Sequence, residues 1–529
     1  MKRREFIQLA TVTSVAALTT LPPGTSAQTV RPGFSQTFAL NEATIADLQQ
    51  KMQSGDMSAE EITRAYIRRI GSVDRSLNSV IEVNPEATAI AESLDRERKA
   101  GKVRSMLHGI PVLIKDNIDT ADKMKTTAGS LALADSPVPK QDAFLVKQLR
   151  DAGAVILGKT NLSEWANFRS SSASSGWSGR GGQTHNPYVL RRNPCGSSSG
   201  TGAGVAANLA AIGIGTETDG SIVCPSSNCG LVGIKPTVGL VSRSGVIPIS
   251  HTQDTAGPMT RTVTDAAVLL SFLTQVDSAD SATAQNGKKA ERDYQKFLDR
   301  KGLSGAKIGV VRSFWGKNVR LDKMMDEALN AMKAEGATVI DVKIPTLGKF
   351  GDAEFEVLLY EFKAGLNKYL AGRNSPHKTL TDLIAFNEAN REREMPYFGQ
   401  EIFERAEKKG PLTDRPYRLA LQKCKTMSQA QGIDAVMNQN KLDALVAPTN
   451  GPIWLIDTVN GDCGSSYVDS STIAAVAGYP SITVPAGLIE ELPIGISFFG
   501  RAYSEPKLIS IAYSFEQSTK ARRVPKFLD

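Results

Sequence analysis

The chain has 529 residues, of which 41% are hydrophobic and 22% are charged, and it carries a net charge of +7. This composition is typical of a globular protein with a large core. Basic residues are mixed with acidic ones, and no basic stripe with interleaved aromatic residues occurs, which argues against nucleic-acid binding. Four histidines and five scattered cysteines show no metal-ligand spacing, so we expect no metal and no other cofactor.

The first 27 residues are typical of an export signal. Arg3 and Arg4 precede a mildly apolar run over 7–21, and small residues offer a cleavage site after Ala27. Paired arginines favour the bacterial twin-arginine route, which carries proteins already folded. We therefore expect a periplasmic or secreted protein with no stable membrane insertion after removal of residues 1–27. A cytosolic protein with a basic tail is the alternative.

Hydrophobic periodicity and capping signals place the next elements in chain order. Ser58 and Glu61 form a capping-box pattern, and apolar residues follow at helical spacing. Helices are predicted over 41–52, from 58, over 84–99 and 143–152, and from 199. Strands are predicted over 109–114, 154–157, 307–312, 338–342, 444–447, 481–484 and 494–498.

Residues 153–160 match the phosphate-loop pattern G-x-x-x-x-G-K-[ST]. A phosphate loop needs a turn whose amides point at phosphate. The four middle residues here favour a buried strand instead, and the segment before them favours a helix: Ala154, Val155, Ile156 and Leu157. We therefore reject nucleotide binding at this segment.

A long serine- and glycine-rich loop over 170–182 contains Trp177. Long loops without secondary structure in compact domains are often binding loops or lids. Trp177 is therefore a candidate substrate-binding residue, and a packed core aromatic is the alternative.

Helices and strands alternate, which predicts an α/β fold whose sheet is covered by helices on both faces. Residues 350–440 are mostly helical and polar, and we expect them to form a cap inserted between core strands. Length alone would suggest about three domains. Because no internal repeat and no dividing linker occurs, residues 28–529 are expected to form a single domain.

The cysteines are Cys195, Cys224, Cys229, Cys424 and Cys463, an odd number that leaves at least one without a partner in the chain. Export favours disulfides, but a chain folded before export first meets a reducing cytosol. We therefore expect mostly buried free thiols. Whether Cys224 and Cys229, the pair close in sequence, are bonded stays open.

Two serine-bearing glycine loops bracket one short apolar helix. The first loop contains Gly196-Ser197-Ser198, the second runs from Gly215 to Ile222, and Lys115 ends an apolar run upstream. None of the four histidines lies in a Gly-x-Ser-x-Gly elbow. This pattern predicts a serine nucleophile whose base is a lysine. The alternatives are serines that only cap a helix, a surface lysine at a strand end, and a Ser-His-Asp hydrolase recognisable only by geometry.

These motifs resemble the amidase signature family. The resemblance covers residues 45–515, with the signature core at about 105–262, and rests on Lys115 in Gly-Ile-Pro-Val-Leu-Ile-Lys-Asp, on both serine loops and on the segment 229–237. Within the family, residues 158–168, 215–225 and 360–365 look like the peptide amidases of bacteria. Cys195, Ser199 and Asp219 depart from the usual family pattern and leave the pocket shape open; the peptide amidase branch shares the first and last.

The resemblance implies a fold, a catalytic triad and an oxyanion hole. The fold would be a large mixed central sheet covered on both faces by helices. Ser221 would be the nucleophile, Ser197 would relay protons, and Lys115 would be the base. The peptide bond before Ser197 would be cis. The oxyanion hole would consist of the backbone amides of Thr218, Asp219, Gly220 and Ser221.

Lys115 can act as a base only when its amine is neutral. A free lysine has a pKa of about 10.4, and burial lowers it by disfavouring the ammonium. The apolar residues before Lys115 are consistent with burial. A carboxylate at Asp116 would oppose this effect, so we expect Asp116 to point away.

The resemblance implies an amide hydrolase that forms an acyl-enzyme and releases ammonia from C-terminal carboxamides of peptides. The alternatives are a family member acting on aryl, fatty-acyl or small aliphatic amides, and the glutaminase subunit of a tRNA amidotransferase. That subunit is cytosolic and needs partner chains, so the paired arginines argue against it. A silent binding module is disfavoured by the intact Lys115, Ser197 and Ser221. We expect a small-molecule or peptide substrate and no obligate protein partner.

Overall fold

The computed structural model describes residues 38–462 and 468–529. The predicted signal peptide and Cys463 lie outside the described residues, so export stays a prediction.

Sequencing the N-terminus of the mature protein tests the predicted export signal, and an intact Met1 would contradict cleavage after Ala27.

Within these residues, eleven strands form one central sheet and two short strands form a separate ribbon. The order in the sheet is β1-β3-β2-β6-β8-β7-β12-β13-β11-β9-β10, and β4 pairs with β5. The strands are β1 (Val80–Val83), β2 (Pro111–Lys115), β3 (Val155–Thr160), β4 (Trp177–Ser178), β5 (Gly182–Gln183), β6 (Ile212–Glu217), β7 (Val232–Lys235), β8 (Thr255–Thr260), β9 (Lys307–Val311), β10 (Thr338–Val342), β11 (Ala444–Pro448), β12 (Ser481–Ile489) and β13 (Leu492–Phe499).

The sheet is mixed and is flanked by helices, as expected for the α/β fold. Strand β2 runs parallel to both neighbours, β3 and β6, whereas β8 is antiparallel to β6 and β7. The helices are α1 (Ile45–Ser54), α2 (Ala59–Val73), α3 (Ala87–Lys99), α4 (Phe144–Asp151), α5 (Ser199–Ala206), α6 (Val223–Asn228), α7 (Val263–Ser271), α8 (Asn286–Lys289), α9 (Val319–Ala334), α10 (Gly351–Gly372), α11 (Leu380–Ala389), α12 (Arg391–Glu394), α13 (Glu401–Glu407), α14 (Arg415–Lys425), α15 (Asp434–Asn440), α16 (Thr472–Ala477) and α17 (Glu505–Thr519). Across the described ranges, none of these helices has the length and apolar character needed to cross a membrane.

The start of α2 shows how local sequence fixes an element. The Ser58 hydroxyl accepts from the Glu61 amide at 3.1 Å, and the Glu61 carboxylate accepts from the Ser58 amide at 2.8 Å. This reciprocal pair satisfies two amides that the first helical turn leaves free. The apolar face of α2 is buried through Ile62, Tyr66 and Ile70, so the predicted capping box and helix are confirmed.

All the predicted strands are present, but β1, β4, β5, β6, β7 and β8 were not predicted. Strand β6 reads as a loop because two of its six residues are glycines, which are depleted in strands. The glycines are required by close packing. A β-carbon on Gly213 would lie 2.6 Å from Thr201 Cγ2 of α5, and one on Gly215 would lie 2.8 Å from Ser198 Oγ.

The segment that resembles a phosphate loop is strand β3 and not a turn. Lys159 lies inside this strand and is fully buried. Its amine donates to the Ile118 carbonyl at 2.6 Å and to Thr126 Oγ1 at 2.8 Å. Lys159 therefore ties two loop residues to the sheet, and the prediction of a buried strand at this segment is confirmed.

The helices α10 to α15 lie between β10 and β11 in the chain, where the sequence predicts a helical cap. Aromatic side chains join them to the loops that follow β3. Phe362 of α10 lies 5.0 Å from Phe168 and Phe403 of α13 lies 5.7 Å from Trp165, measured between ring centroids. These edge-on contacts belong to a buried cluster with Leu358, Leu366 and Leu383, so apolar packing holds the helical segment on the core.

We expect Gly213→Ala to lower the free energy of unfolding by about 1–3 kcal/mol, because the added methyl overlaps α5. Thermal unfolding followed by circular dichroism measures this effect. The matched control is Gly71→Ala. Gly71 lies exposed in α2, and no heavy atom of the described chain lies within 4 Å of the new β-carbon. That variant should gain roughly 0.5–1 kcal/mol, because alanine favours helix. Equal stability of the two variants would contradict the packing argument.

Candidate active site

The candidate site lies where β2 and β6 end. The two strands are adjacent and parallel, with Ile114 paired to Ile214, so both reach the same edge of the sheet. Lys115 is the last residue of β2, and Thr216 and Glu217 are the last of β6. The strand register therefore places the lysine amine beside the second serine-bearing loop.

The Lys115 amine is fully buried and surrounded by oxygens. It donates to Ser197 Oγ at 2.7 Å, to Thr216 Oγ1 at 2.9 Å and to the Thr216 carbonyl at 3.3 Å. Asn117 Nδ2 also donates to Thr216 Oγ1, at 3.0 Å. The sequence analysis missed Thr216 and Asn117, although the first lies in the second serine loop and the second only two residues after Lys115.

Burial lowers the pKa of Lys115 to about 7. The carboxylates of Asp254 and Glu217 oppose this shift, because negative charge favours the ammonium. Burial also raises the pKa of Asp254 to about 6, although its carboxylate accepts from Thr218 Oγ1 at 2.6 Å. At neutral pH a substantial fraction of Lys115 is therefore the neutral amine.

Asp116 points away from Lys115, as expected. Its carboxylate accepts from the Thr127 and Gly129 amides at 3.3 and 3.4 Å and from Arg180 Nη1 at 3.5 Å. The Asp116 carboxylate thus binds the loop after β2 and points away from the Lys115 amine.

The turn that carries Ser221 is shaped by a buried carboxylate. Glu217 accepts from the Ile222 and Val223 amides at 2.7 and 3.0 Å. Burial raises the pKa of Glu217, and the positive charge of Lys235, these two amides and the Gly220 amide oppose the shift. Gly220 has a φ of +78°, in the left-handed region that glycine adopts without crowding. The turn presents Ser221, which is 8% exposed, to a cavity.

Among the four amides predicted for an oxyanion hole, three have no hydrogen-bond partner within the described chain: those of Thr218, Asp219 and Ser221. The Gly220 amide is directed to Glu217. Three unpaired backbone donors on one turn give the site, as described, the capacity to bind a developing negative charge.

The first serine loop approaches this turn from α5. The peptide bond between Gly196 and Ser197 is cis, as the resemblance implies. The Ser198 amide donates to the Ser221 carbonyl at 3.2 Å, and Ser198 Oγ donates to the Thr216 carbonyl at 3.0 Å. In the described residues no hydrogen bond joins the Ser197 and Ser221 hydroxyls, so the direct contact in this structure is between Lys115 and Ser197.

A cavity of about 280 Å³ opens over Ser221. Its walls include Gly196, Gly220 and Trp454 together with three aspartates: Asp219, Asp462 and Asp469. Burial raises the pKa of Asp219 well above its usual range, and the charges of Asp469 and Glu354 add to this shift. The described residues that line the cavity include no lysine, arginine or histidine, so its ionisable groups in this part of the chain are carboxyl groups.

Trp177 does not line this cavity. Its ring packs edge-on against Tyr397 and Phe398 at 5.6 and 5.1 Å, and the Arg169 guanidinium lies 5.6 Å from the ring. The geometry therefore favours the packing role. The tryptophan that lines the cavity is Trp454, whose Nε1 donates to Asp462 at 3.1 Å; no motif in the sequence marks it.

The expectation of mostly free thiols is wrong for two cysteines of the site. Cys195 and Cys224 form a disulfide across 29 residues of sequence, and Cys229 and Cys424 are buried free thiols. The pairing of Cys224 with Cys229, which the sequence left open, does not occur. Tertiary packing decides the pairing, because it brings the two serine loops together. Across the described ranges no group of three or more metal-ligating side chains occurs.

Comparisons with known proteins agree with this geometry. The Amidase family profile matches residues 61–509. Native peptide amidase from Stenotrophomonas maltophilia is 49% identical, with a TM-score of 0.88 over 92% of this chain and 99% of that chain. A probable amidase of Arabidopsis thaliana is 44% identical over 94% of this chain and 93% of its own length.

A third relative extends the comparison to another activity. A glutamyl-tRNA(Gln) amidotransferase subunit of Thermoanaerobacter pseudethanolicus is 33% identical over 92% of this chain and 98% of its own length. Because the family profile and these relatives each span most of the molecule, the chain belongs to the amidase signature family and is an amide-hydrolysing enzyme.

Proposed function

We propose that this enzyme hydrolyses C-terminal carboxamides of peptides and releases ammonia through an acyl-enzyme on Ser221. The observation that carries the proposal is the buried Lys115 amine, 2.7 Å from Ser197 Oγ, beside a cavity lined by Ser221. The likeness to peptide amidase over nearly the whole chain supports the choice of substrate.

In the proposed acylation, neutral Lys115 accepts the hydroxyl proton of Ser197, and Ser197 accepts that of Ser221. Ser221 Oγ then bonds to the carboxamide carbon, and the carbonyl oxygen becomes an oxyanion facing the Asp219 and Ser221 amides. The C–N bond breaks as the proton returns through Ser197 to the leaving nitrogen, which departs as ammonia. Water repeats the same steps on the ester and frees the peptide acid.

The charge of the cavity supports a carboxamide as substrate. Among the described residues, the walls hold three aspartates and no cationic side chain, so a peptide acid brings a like charge towards Asp462 and Asp469, whereas a carboxamide brings none. Repulsion of an unwanted ligand is a common means of discrimination. It also favours release of the product, which is the acid.

A panel of amides tests the substrate class. We expect kcat/KM for ammonia release from dipeptide carboxamides to exceed that for aryl, fatty-acyl and small aliphatic amides by at least about 100-fold, because a site built around polar substrate groups rejects analogues that lack them. Glutamine is included to detect glutaminase activity. If the enzyme hydrolyses another amide but no peptide amide, the proposed substrate class is contradicted, whereas the assignment as an amidase stands.

The role of Ser221 is tested by alanine substitution. We expect Ser221→Ala to lower kcat by about 10⁴-fold or more, because the acyl-enzyme cannot form. The matched control is Ser226→Ala in the adjacent helix α6. Ser226 is also buried, but its hydroxyl has no partner in the described chain, so this variant should keep the wild-type kcat. An active Ser221→Ala enzyme would overturn the assignment.

The pH dependence of kcat/KM tests Lys115. Its folded pKa is lowered to about 7, and only the neutral amine accepts a proton. Activity should therefore fall about tenfold per pH unit below 7 and level off above it. Lys115→Arg, which stays protonated, should be inactive across the range. A profile that stays flat from pH 5.5 to 8.5 would contradict a lysine base.

A further inference from the structure

The Cys195–Cys224 disulfide lies between the two serines to which we assign the reaction. Cys195 is two residues before Ser197, and Cys224 is three residues after Ser221, in the first turn of α6. Both half-cystines line the same cavity as Ser221. The bond is therefore a covalent link between the two loops at the point where they meet the substrate.

In the described chain, Ser198 also joins the two loops: its Oγ donates to the Thr216 carbonyl at 3.0 Å and accepts from the Thr216 amide at 3.2 Å. The Ser198 amide donates to the Ser221 carbonyl at 3.2 Å. On its other side, Cys195 is held within its own loop: its amide donates to Asn193 Oδ1 at 2.8 Å and its carbonyl accepts from Ser199 Oγ at 2.6 Å. Among the described residues, the non-covalent links between the loops near the serines thus come from Ser198, and the disulfide adds a covalent link at Cys195.

The backbone of Cys195 shows that this loop is held in an unfavourable shape. Its φ is +62°, in the left-handed region where a β-carbon crowds the backbone. Such a conformation persists only when the surroundings enforce it. The bond from Cys195 to α6 is a direct means of enforcement, because it fixes the position of the side chain that causes the crowding.

A third cysteine lies close by without taking part. Cys229 is fully buried, and its sulfur lies 3.9 Å from the Pro194 carbonyl. Burial raises the pKa of the Cys229 thiol above its usual range, which keeps it protonated, and a protonated thiol does not attack a disulfide. The described structure therefore favours one pairing that does not exchange with its neighbour.

We propose that the Cys195–Cys224 disulfide positions Ser197 and Ser221 for proton transfer, so that full activity requires this bond to be formed. The proposal rests on the proposed function, which assigns both serines to the reaction. Cys195 and Cys224 are positioning residues: they act on where the hydroxyls lie and do not exchange protons themselves. Misplacement of reacting groups by about 1 Å can cost roughly 100-fold in rate.

The position of Cys224 gives a small reductant access to the disulfide in the folded enzyme. Cys224 is partly exposed in the cavity, whereas Cys229 and Cys424 are buried. Dithiothreitol gives two electrons and two protons: the S–S bond breaks, both cysteines become thiols, and the reagent closes to its cyclic disulfide. Oxidised glutathione reverses the change by accepting two electrons and forming two molecules of reduced glutathione.

The experiment compares oxidised, reduced and reoxidised enzyme on one hydrolysed amide. Alkylation and mass spectrometry verify that Cys195 and Cys224 are the labelled thiols, and far-UV circular dichroism verifies folding. We expect reduction to lower kcat by about 10- to 100-fold, with KM changed by less than about threefold, and reoxidation to restore kcat. The Cys195→Ala/Cys224→Ala double variant should behave as the reduced enzyme, and the control Cys424→Ser should not respond differently from wild type.

Wild-type kcat in the reduced enzyme or in the double variant would overturn the proposal. Loss of the circular dichroism signal on reduction would also overturn it, because the bond would then serve global stability. Labelling of Ser221 by a fluorophosphonate distinguishes failure of the proposed role of the disulfide from failure of the proposed function. Oxidised enzyme that is neither labelled nor active on any amide contradicts the proposed function, whereas equal labelling rates before and after reduction contradict only the role of the disulfide.

Discussion

Lys115 ends a central strand with its amine out of contact with water, and the oxygens that accept its hydrogen bonds in the described chain belong to Ser197 and Thr216. A charged amine in such a place is costly, and the balance between burial and two nearby carboxylates sets its pKa near neutrality. The rest of the site is arranged around this constraint. Water must stay away from the amine while the two serine loops stay close to it.

The close packing of the core follows from the same constraint. The oxygens that surround Lys115 come from β6 and from the loop before α5, so helix and strand must approach closely. Gly213 and Gly215 allow this approach, because a β-carbon at either position would overlap α5 or Ser198. The glycines that make β6 hard to predict as a strand are therefore the residues that let Lys115 meet Ser197.

Carboxylates shape the surroundings at three levels. Glu217 holds the turn of Ser221 through backbone amides, Asp254 limits the fall in the pKa of Lys115, and Asp219 lines the cavity beside Asp469. The helical segment between β10 and β11 contributes to this arrangement. Glu354 of α10 faces Asp219 and raises its pKa, and Gln253 donates to Glu354 at 3.0 Å. The helices that cover the core thus also adjust the charge of the cavity.

The sequence alone determined the residues that local chemistry marks: the capping box at Ser58, the apolar strand that ends at Lys115, and the two serine loops. These signals act within a few residues of each other, so a pattern is enough to read them. The apolar middle of segment 153–160, which predicted a strand and not a phosphate loop, is another such local signal. The motifs, by their order, also predicted the family and the fold class.

Only the tertiary structure decided which distant groups meet. Three findings depend on strand register and on helices packed from elsewhere in the chain. They are the pairing of Cys195 with Cys224, the contacts of Thr216 and Asn117 near Lys115, and the presence of Trp454 and not Trp177 at the cavity. The same is true of β6, whose glycines suit a strand only when α5 lies against it. Burial and proximity are properties of the folded chain, and they set the pKa of Lys115, for which the sequence could supply only the direction.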